Sequence, residues 1–381
     1  MLRRKEVCKG LKAEVKVIIS GGGTGGHIFP AIAIANGLRS IDPQIKLLFV
    51  GANGRMEMEK VPAAGFDIVG LDISGIKRSL SLSNLAFPFK LMASLLKAAR
   101  IVKRFKPQVA VGVGGYASGP LLWAASRLGI STVIQEQNSY PGITNKLLAG
   151  KAQLICTGYD NMEKYFPSNK TVFTGNPVRK EMVDIAGKRE EAFRFFGLEN
   201  NKPVVLVIGG SQGARSINHA IMKGFAKFKE SNIQVLWQCG KQFHPEALQA
   251  TSTTNGIHAF DFIARMDLAY AAADLVVSRA GASTVSELCV VGKPAIMVPL
   301  PTAAEDHQTH NCLSMVSKKA AILVKDSDAA MQLVDKAIEV VTNRDLMHEL
   351  ATNMSKGAVT DAADKIARKV YDMALEKLNS K

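Results

Sequence analysis

The sequence predicts an α/β fold of two doubly wound, Rossmann-like domains facing each other across a cleft. Three observations lead there. Short apolar runs alternate with glycine-rich turns and amphipathic helical segments, the rhythm of a parallel sheet covered on both faces. That rhythm starts again near Pro203. The length, 381 residues, leaves room for two to three domains at roughly 150 residues each. With 47% hydrophobic and 21% charged residues, the chain has an ordinary globular balance, which argues against disorder.

In the first series, Val15–Ser20 reads as a buried strand, Gly21–Gly26 as a loop and Pro30–Ser40 as a helix. Lys46–Val50 is the next strand, followed by Gly51–Gly54. Val109–Val113 runs into Gly114-Gly115-Tyr116, and Thr132–Gln135 into Glu136-Gln137-Asn138. In the second series Pro203–Ile208 is a strand, Gly209–Gly213 a glycine loop and Ser216–Glu230 a helix. Gln234–Gln238, Leu275–Ser278 and Ala295–Val298 are further strands. Gly175-Asn176-Pro177-Val178-Arg179 reads as the linker, which places the domains at 1–176 and 177–360. The last helix, about Asp361–Leu378, is expected to return to the first domain with the tail 361–381. Ligands of such sheets sit beyond the carboxyl ends of the strands, where these glycine segments fall.

Several classes are excluded or weakened. No run of about 18 apolar residues suggests a membrane span, and the basic lead-in Met1–Glu14 lacks the apolar core of a secretory signal. The 5 cysteines are odd in number and form no CxxC pair, so a reducing cytosol fits better than a disulfide framework or zinc site. The net charge is +15, unevenly spread: residues 1–175 hold 23 basic and 10 acidic residues, a net +13. No Asp or Glu occurs from Ile73 to Gln135, a window with nine cations including Lys77, Arg78, Lys97 and Arg100. An anionic partner is expected there. The interleaved Leu85, Phe89, Met92 and Leu95 suit a lipid interface better than a nucleic-acid groove, while a plain amphipathic core helix explains the pattern equally well.

Gly21-Gly22-Gly23-Thr24-Gly25-Gly26-His27 contains GxGxxG between a strand and a helix. The second strand ends in Val50-Gly51-Ala52-Asn53, without the carboxylate a dinucleotide site wants. A phosphate or diphosphate held by backbone N–H groups survives as the expectation. His27 starts the helix, whose positive end favours a neutral imidazole suited to general-base work; a packing histidine is the alternative. Gly114, Gly115, Tyr116 and Ser118 form a second loop able to admit an anion, or a tight turn. Asn138 suits a sugar hydroxyl or acetamido group, or a helix cap. In the second domain, Gly209–Ala214 with the Ser211 hydroxyl offers another diphosphate site. Glu287 reads as a bidentate acceptor for vicinal ribose hydroxyls, or as a capping-box carboxylate. Asp326 and Asp328 precede a helical pattern and read as helix capping. No bound metal is expected, since no carboxylate or histidine cluster has ligand spacing, and no GxxxxGK[ST] occurs.

Together GGGTGGHIFPAIAIA (21–35), VGVGGYASGP (111–120), QEQNSYPGITNK (135–146), GNPVR (175–179), GGSQGA (209–214), SRAGASTVSEL (278–288) and DHQTHN (306–311) resemble the peptidoglycan glycosyltransferase family. The resemblance runs from about Lys16 to the C-terminal helix. It implies the GT-B fold and transfer of GlcNAc from UDP-GlcNAc to the muramoyl 4-hydroxyl of lipid I, giving lipid II. It implies that Thr24, Gly25, Gly26 and Asn138 lie near the acceptor diphosphate and donor sugar, with Gly23 and the Gly114–Ser118 loop beside them. Arg179 and Ser211 resemble donor-diphosphate contacts, Ile263 the backbone contact to uracil, and Gln308 a contact to GlcNAc hydroxyls. Ala282, Ser283, Thr284, Val285, Ser286 and Glu287 resemble the nucleoside-sugar clamp, with Glu287 on the ribose. His27 resembles the base, and Asn138 and Glu287 join it as catalytic candidates. Met1–Ala13 has no counterpart in the family pattern.

An inverting, metal-independent transfer without a cofactor follows from the resemblance, with domain closure excluding water. The expected partners are UDP-N-acetylglucosamine, lipid I, the anionic inner-leaflet surface and proteins of cell-wall synthesis and division, with no nucleic acid. The expected place is the cytoplasmic face of the bacterial plasma membrane, contacted through Ile76, Lys77, Arg78, Phe89, Met92 and Leu95. Two other readings stay open: a GT-B transferase with a different acceptor, and a non-enzymatic anion- or nucleic-acid-binding protein.

Overall fold

The computed structural model describes residues 14–73, 87–210, 212–252 and 254–380. Ile76, Lys77, Arg78 and Ser211 lie outside the described residues. Among the described residues, thirteen strands form two sheets. The first contains β1 (Lys16–Gly21), β2 (Lys46–Ala52), β3 (Ile68–Leu71), β4 (Val109–Gly114), β5 (Ser131–Glu136), β6 (Leu154–Thr157) and β7 (Thr171–Phe173), in the order β3-β2-β1-β4-β5-β6-β7. The second contains β8 (Val204–Ile208), β9 (Gln234–Gln238), β10 (Ile257–Phe260), β11 (Leu275–Ser278), β12 (Ala295–Met297) and β13 (Ala321–Leu323), in the order β10-β9-β8-β11-β12-β13. The pairings are parallel. Strands such as Val-Val-Leu-Val-Ile of β8 are buried at every residue, because helices cover both faces and no alternation is required.

In each sheet the order reverses beside the first strand, with β1 between β2 and β4 and β8 between β9 and β11. A crevice opens beyond the strand ends at such a switch point, and both glycine loops leave from there.

Chain contacts define two compact units. One holds the described residues up to Ile134, Lys151–Leu154 and the last helix from Asp364; the other holds Gln135–Gly150 and Ile155–Ala363. In the first, the Tyr371 hydroxyl of the last helix donates to Asp42 at 3.3 Å. In the second, Trp237, Phe228, Ile217, Val235 and Leu333 belong to one apolar core, and the Trp237 indole N–H donates to Asn218 Oδ1 at 3.1 Å.

Two helices differ from expectation. The first spans Gly25–Ile41, starting five residues before Pro30, with Thr24 as its N-cap. Proline is favoured at a first helical position because its missing N–H is an orphan there anyway; here it sits inside, and His27 falls in the first turn. The segment 216–230 is broken into Arg215–Lys223 and Phe225–Glu230 at Gly224. A Cβ at Gly224 would lie 2.5 Å from Val334, so close packing selects the glycine.

Candidate active site

In the first unit, β1 ends in Gly21 and the helix Gly25–Ile41 begins four residues later. The intervening loop is organised by a residue that sequence reasoning missed. Glu57, the first residue of the helix Glu57–Ala63, is 1% exposed. One carboxylate oxygen accepts the Gly23 N–H at 2.8 Å and the other the Ala52 N–H at 3.0 Å. The side chain fills the space that a Cβ would claim at Gly22 and Gly51. Its own helix N-terminus adds a favourable field. Gly23, read from sequence as part of an anion loop, therefore gives its N–H to a protein carboxylate.

His27 Nδ1 lies 3.1 Å from the Gly22 carbonyl and 3.3 Å from Thr24 Oγ1. A carbonyl only accepts, so that contact places the proton on Nδ1 and the lone pair on Nε2. The ring packs on Gly114, where φ is +107° and a Cβ would lie 2.5 Å from Cδ2 and 2.8 Å from Nε2. At Gly115, with φ +88°, a Cβ would lie 2.3 Å from the Gly22 carbonyl oxygen. These two glycines admit His27 and the first loop. Sequence reading left them as an anion loop or a tight turn, and the close approach to His27 and Gly22 is what the structure adds. Tyr116 is exposed, with the Arg55 guanidinium 5.6 Å from its ring centre. Ser118 is fully buried, and a Cβ at Gly112 would lie 2.5 Å from its Oγ, so its hydroxyl faces β4 and not the loop surface.

In the second unit, Gly213 has φ +76° and donates its N–H to the Gly210 carbonyl at 3.0 Å. Gln238, at the end of β9, links this loop to Ile263: its amide donates to the Gly210 carbonyl at 3.1 Å, and its oxygen accepts the Ile263 N–H at 2.9 Å. Arg279 anchors the start of the following helix. Its guanidinium donates to Asp326, to the Val298 carbonyl at 3.0 Å and to Ser216 Oγ at 3.1 Å. Asp326 also accepts from Ser216 and makes no capping bond to the helix Ala329–Thr342. The capping expectation for Asp326 is thus replaced by a largely buried ion pair.

The helix Ala282–Val291 is N-capped by Gly281, with Ala282 and Val285 buried at its start. Ser286 Oγ donates to the Ala282 carbonyl at 2.9 Å and accepts from Asn176 at 3.1 Å. Ser283 Oγ is buried without a hydrogen-bond partner among the described residues, and Thr284 lies in the same first turn. Glu287 lies too far along this helix to cap it. It accepts from the Tyr270 hydroxyl at 3.1 Å and sits 3.6 Å from the Arg179 guanidinium. Burial raises the Glu287 carboxyl above its ordinary range, against the pull of Arg179. Gln308 Oε1 accepts the Leu300 N–H at 3.0 Å.

Asn138 belongs to a buried polar cluster of the second unit. Its amide donates to Glu136 at 3.2 Å and its oxygen accepts from Asn311 at 3.1 Å. Glu136 also accepts from the N–H groups of Asn138 and Gly142 and from the Asn145 amide. Desolvation raises its carboxyl despite these donors. Glu136 is the second organising acid that the sequence did not single out.

The chain matches the glycosyltransferase family 28 N-terminal domain over residues 17–157 and the family 28 C-terminal domain over residues 204–368. The chain belongs to glycosyltransferase family 28. Among family relatives, the UDP-N-acetylglucosamine–N-acetylmuramyl-(pentapeptide) pyrophosphoryl-undecaprenol N-acetylglucosamine transferase of Cytophaga hutchinsonii is 54% identical, covering 94% of this chain and 96% of that one. The protein of that name from Phocaeicola vulgatus is 51% identical, covering 96% and 98%. The crystal structure of Acinetobacter baumannii MurG superposes with a TM-score of 0.77 at 28% identity, covering 94% of this chain and 99% of that one. As a family 28 protein with two Rossmann-like parallel sheets, the chain has the GT-B fold.

Within this family 28 chain, the structure brings together Thr24, His27, Gly114 and Gly115 in one unit, and Arg179, Glu287 and the Ala282–Ser286 turn in the other. Glu57, Gln238, Arg279 and Asp326 were not legible as site residues. Each has its partner far away in sequence: Glu57 at Gly23, Gln238 at Gly210, and Arg279 and Asp326 on one another.

Proposed function

We propose that this chain transfers GlcNAc from UDP-GlcNAc to the 4-hydroxyl of the muramoyl sugar of lipid I, forming lipid II. What carries the reading is the match, over more than nine-tenths of both chains, to relatives bearing that transferase name. The acceptor oxygen attacks the anomeric carbon in line, the bond from that carbon to the UDP oxygen breaks, and configuration inverts. His27 Nε2 takes the acceptor proton, a use the Nδ1–H tautomer suits. Arg179, Ser211 and the first-turn N–H groups of the helix Ala282–Val291 stabilise the departing diphosphate. Glu287 exchanges Arg179 for the ribose hydroxyls, Ile263 meets the uracil through its backbone, and Gln308 and Asn138 hold the sugar.

The test is UDP release from UDP-GlcNAc in EDTA, with and without a lipid I analogue. Release that requires the analogue is expected. Release without it, or none with it, overturns the proposal.

The finer proposal is that the protein works at the cytoplasmic membrane face, through the helix Phe87–Phe105. Among the described residues no helix is long and apolar enough to cross a membrane. Phe89, Met92 and Leu96 are 80%, 58% and 52% exposed, at helical spacing, with Lys90, Arg100, Lys103 and Arg104 also exposed. Such a face suits an anionic interface. Leu95, favoured by the sequence, is half-buried, since Ser94, Ala98 and Val102 form the inner face. Lys97 is engaged 3.7 Å from Asp72. Reversing Arg100 and Lys103 to Glu weakens binding to anionic vesicles at least about tenfold; unchanged partitioning removes this proposal and leaves the chemistry standing.

A further inference from the structure

One peptide group of the first glycine loop is held at both ends. The N–H of the Gly22–Gly23 peptide donates to Glu57 Oε2 at 2.8 Å. The carbonyl of the same peptide lies 3.1 Å from His27 Nδ1. The result is a linear chain of polar groups: carboxylate, peptide N–H, peptide C=O, imidazole N–H. Hydrogen bonds in such a chain polarise one another. An anion at the N–H end makes the carbonyl oxygen more negative and a better acceptor for Nδ1–H.

We propose that Glu57 is a positioning residue for the transfer: acting through the Gly22–Gly23 peptide, it holds His27 as the Nδ1–H tautomer and keeps Nε2 as the proton-accepting nitrogen. This rests on the reading of His27 as the base. Three features fit a built device. Both Glu57 oxygens are occupied by backbone N–H groups, from Gly23 and from Ala52, so the carboxylate has one orientation. Gly22 and Gly51 lack the side chains that would collide with it, with Glu57 atoms 2.2 and 2.6 Å from where their Cβ atoms would be. On the other side the Gly22 carbonyl packs against Gly115 and the His27 ring against Gly114, each too closely for a side chain at that glycine. The arrangement does the work of the aspartate in a hydrolytic triad, which holds the tautomer of its histidine, with a peptide bond between the carboxylate and the ring.

The experiment combines a spectroscopic and a kinetic arm on the full chain. With 15N-labelled histidine, long-range 1H–15N correlation at neutral to mildly basic pH reads the tautomer of His27, assigned by its loss in His27→Gln. The expected result is an Nδ1–H ring in the wild type and a mixture of tautomers in Glu57→Gln. In the kinetic arm Glu57→Gln lowers kcat several-fold, in step with the fall in the Nδ1–H fraction, with KM for both substrates within about twofold. In the double variant with His27→Gln it costs nothing further, because the two act as a unit. An Nε2–H ring in the wild type overturns the proposal, and it does so even if Glu57→Gln fails to fold; the reading of His27 as the base is judged separately, by turnover in His27→Gln. Full additivity of the two substitutions also overturns it and assigns Glu57 a purely structural part. Wild-type turnover in His27→Gln instead overturns the reading of His27 as the base, whatever the spectra show.

Discussion

The two glycine loops look alike in sequence and differ in charge. The first, Gly21–Gly26, is held by a buried carboxylate that takes a loop N–H directly. The second, Gly209–Gly213, is held by the neutral Gln238 amide on the Gly210 carbonyl. The helix that follows it is anchored on the Arg279 guanidinium through Ser216. A loop N–H occupied by a carboxylate is closed to a second anion, whereas the brace on the second loop is a neutral amide, and the Arg279–Asp326 pair beyond it adds no net charge. The lesson is that a glycine motif specifies a tight turn, while the side chains that brace it from elsewhere decide its electrostatic use. One N–H of the first loop is committed to Glu57 beside a histidine, and the brace of the second is uncharged.

The comparison can be broken most sharply at His27. His27→Ala should lower kcat by about 10³-fold while leaving UDP affinity, measured by calorimetry, unchanged. A loss of UDP affinity instead would show that the first loop shares the nucleotide site.

Next in size is Arg279→Met. It leaves Asp326 without its partner and should destabilise the second unit by about 3 kcal/mol. The thermal midpoint should fall by roughly 10 °C. A midpoint within about a degree of wild type would mean that the ion pair does not brace the second loop.

A smaller effect is expected from Gln238→Ala, which removes the bonds to the Gly210 carbonyl and the Ile263 N–H. At about 1 kcal/mol for each, KM for UDP-GlcNAc should rise up to about 30-fold, with kcat little changed. An equal fall in kcat would move the second loop from binding to chemistry.

The smallest effect concerns pH. The Asp267 carboxyl is held down to about 2, chiefly by hydrogen bonds from Arg265, which outweigh desolvation. A depressed carboxyl contributes stability above its unfolded value of about 4. That contribution is lost as pH falls toward about 2. Asp267→Asn should therefore be less stable than wild type at pH 7, with the difference shrinking steadily below about pH 4 in denaturant titrations. A difference independent of pH would assign Asp267 a packing part and leave the second unit without this acid-sensitive pair.

Much of the fold was legible because its signals are local. β8 was recognised from the unbroken apolar run Val-Val-Leu-Val-Ile, β9 from Val-Leu-Trp between two glutamines, and the loops after β1 and β8 from their glycines. The first helix was misplaced at its start because Pro30, a reliable opening signal in general, sits a turn and a half inside it. His27, Asn138, Arg179 and Glu287 could be named from motif context. Their present partners could not: Glu57 reaches Gly23 across 34 positions and Arg279 reaches Asp326 across 47. A single glutamate at the start of a short helix has no periodicity and no motif to mark it.

The amino-acid order by itself settled the alternation of strands and helices, the sites of the tight turns and the concentration of positive charge before Gly175, since each depends on neighbours in the chain. Tertiary packing alone decided which buried polar groups meet. Glu57 beneath the first loop, Gln238 beneath the second and the Arg279–Asp326 pair follow from desolvation: a polar group removed from water must find a partner, and that partner is whatever the fold brings within about 3 Å.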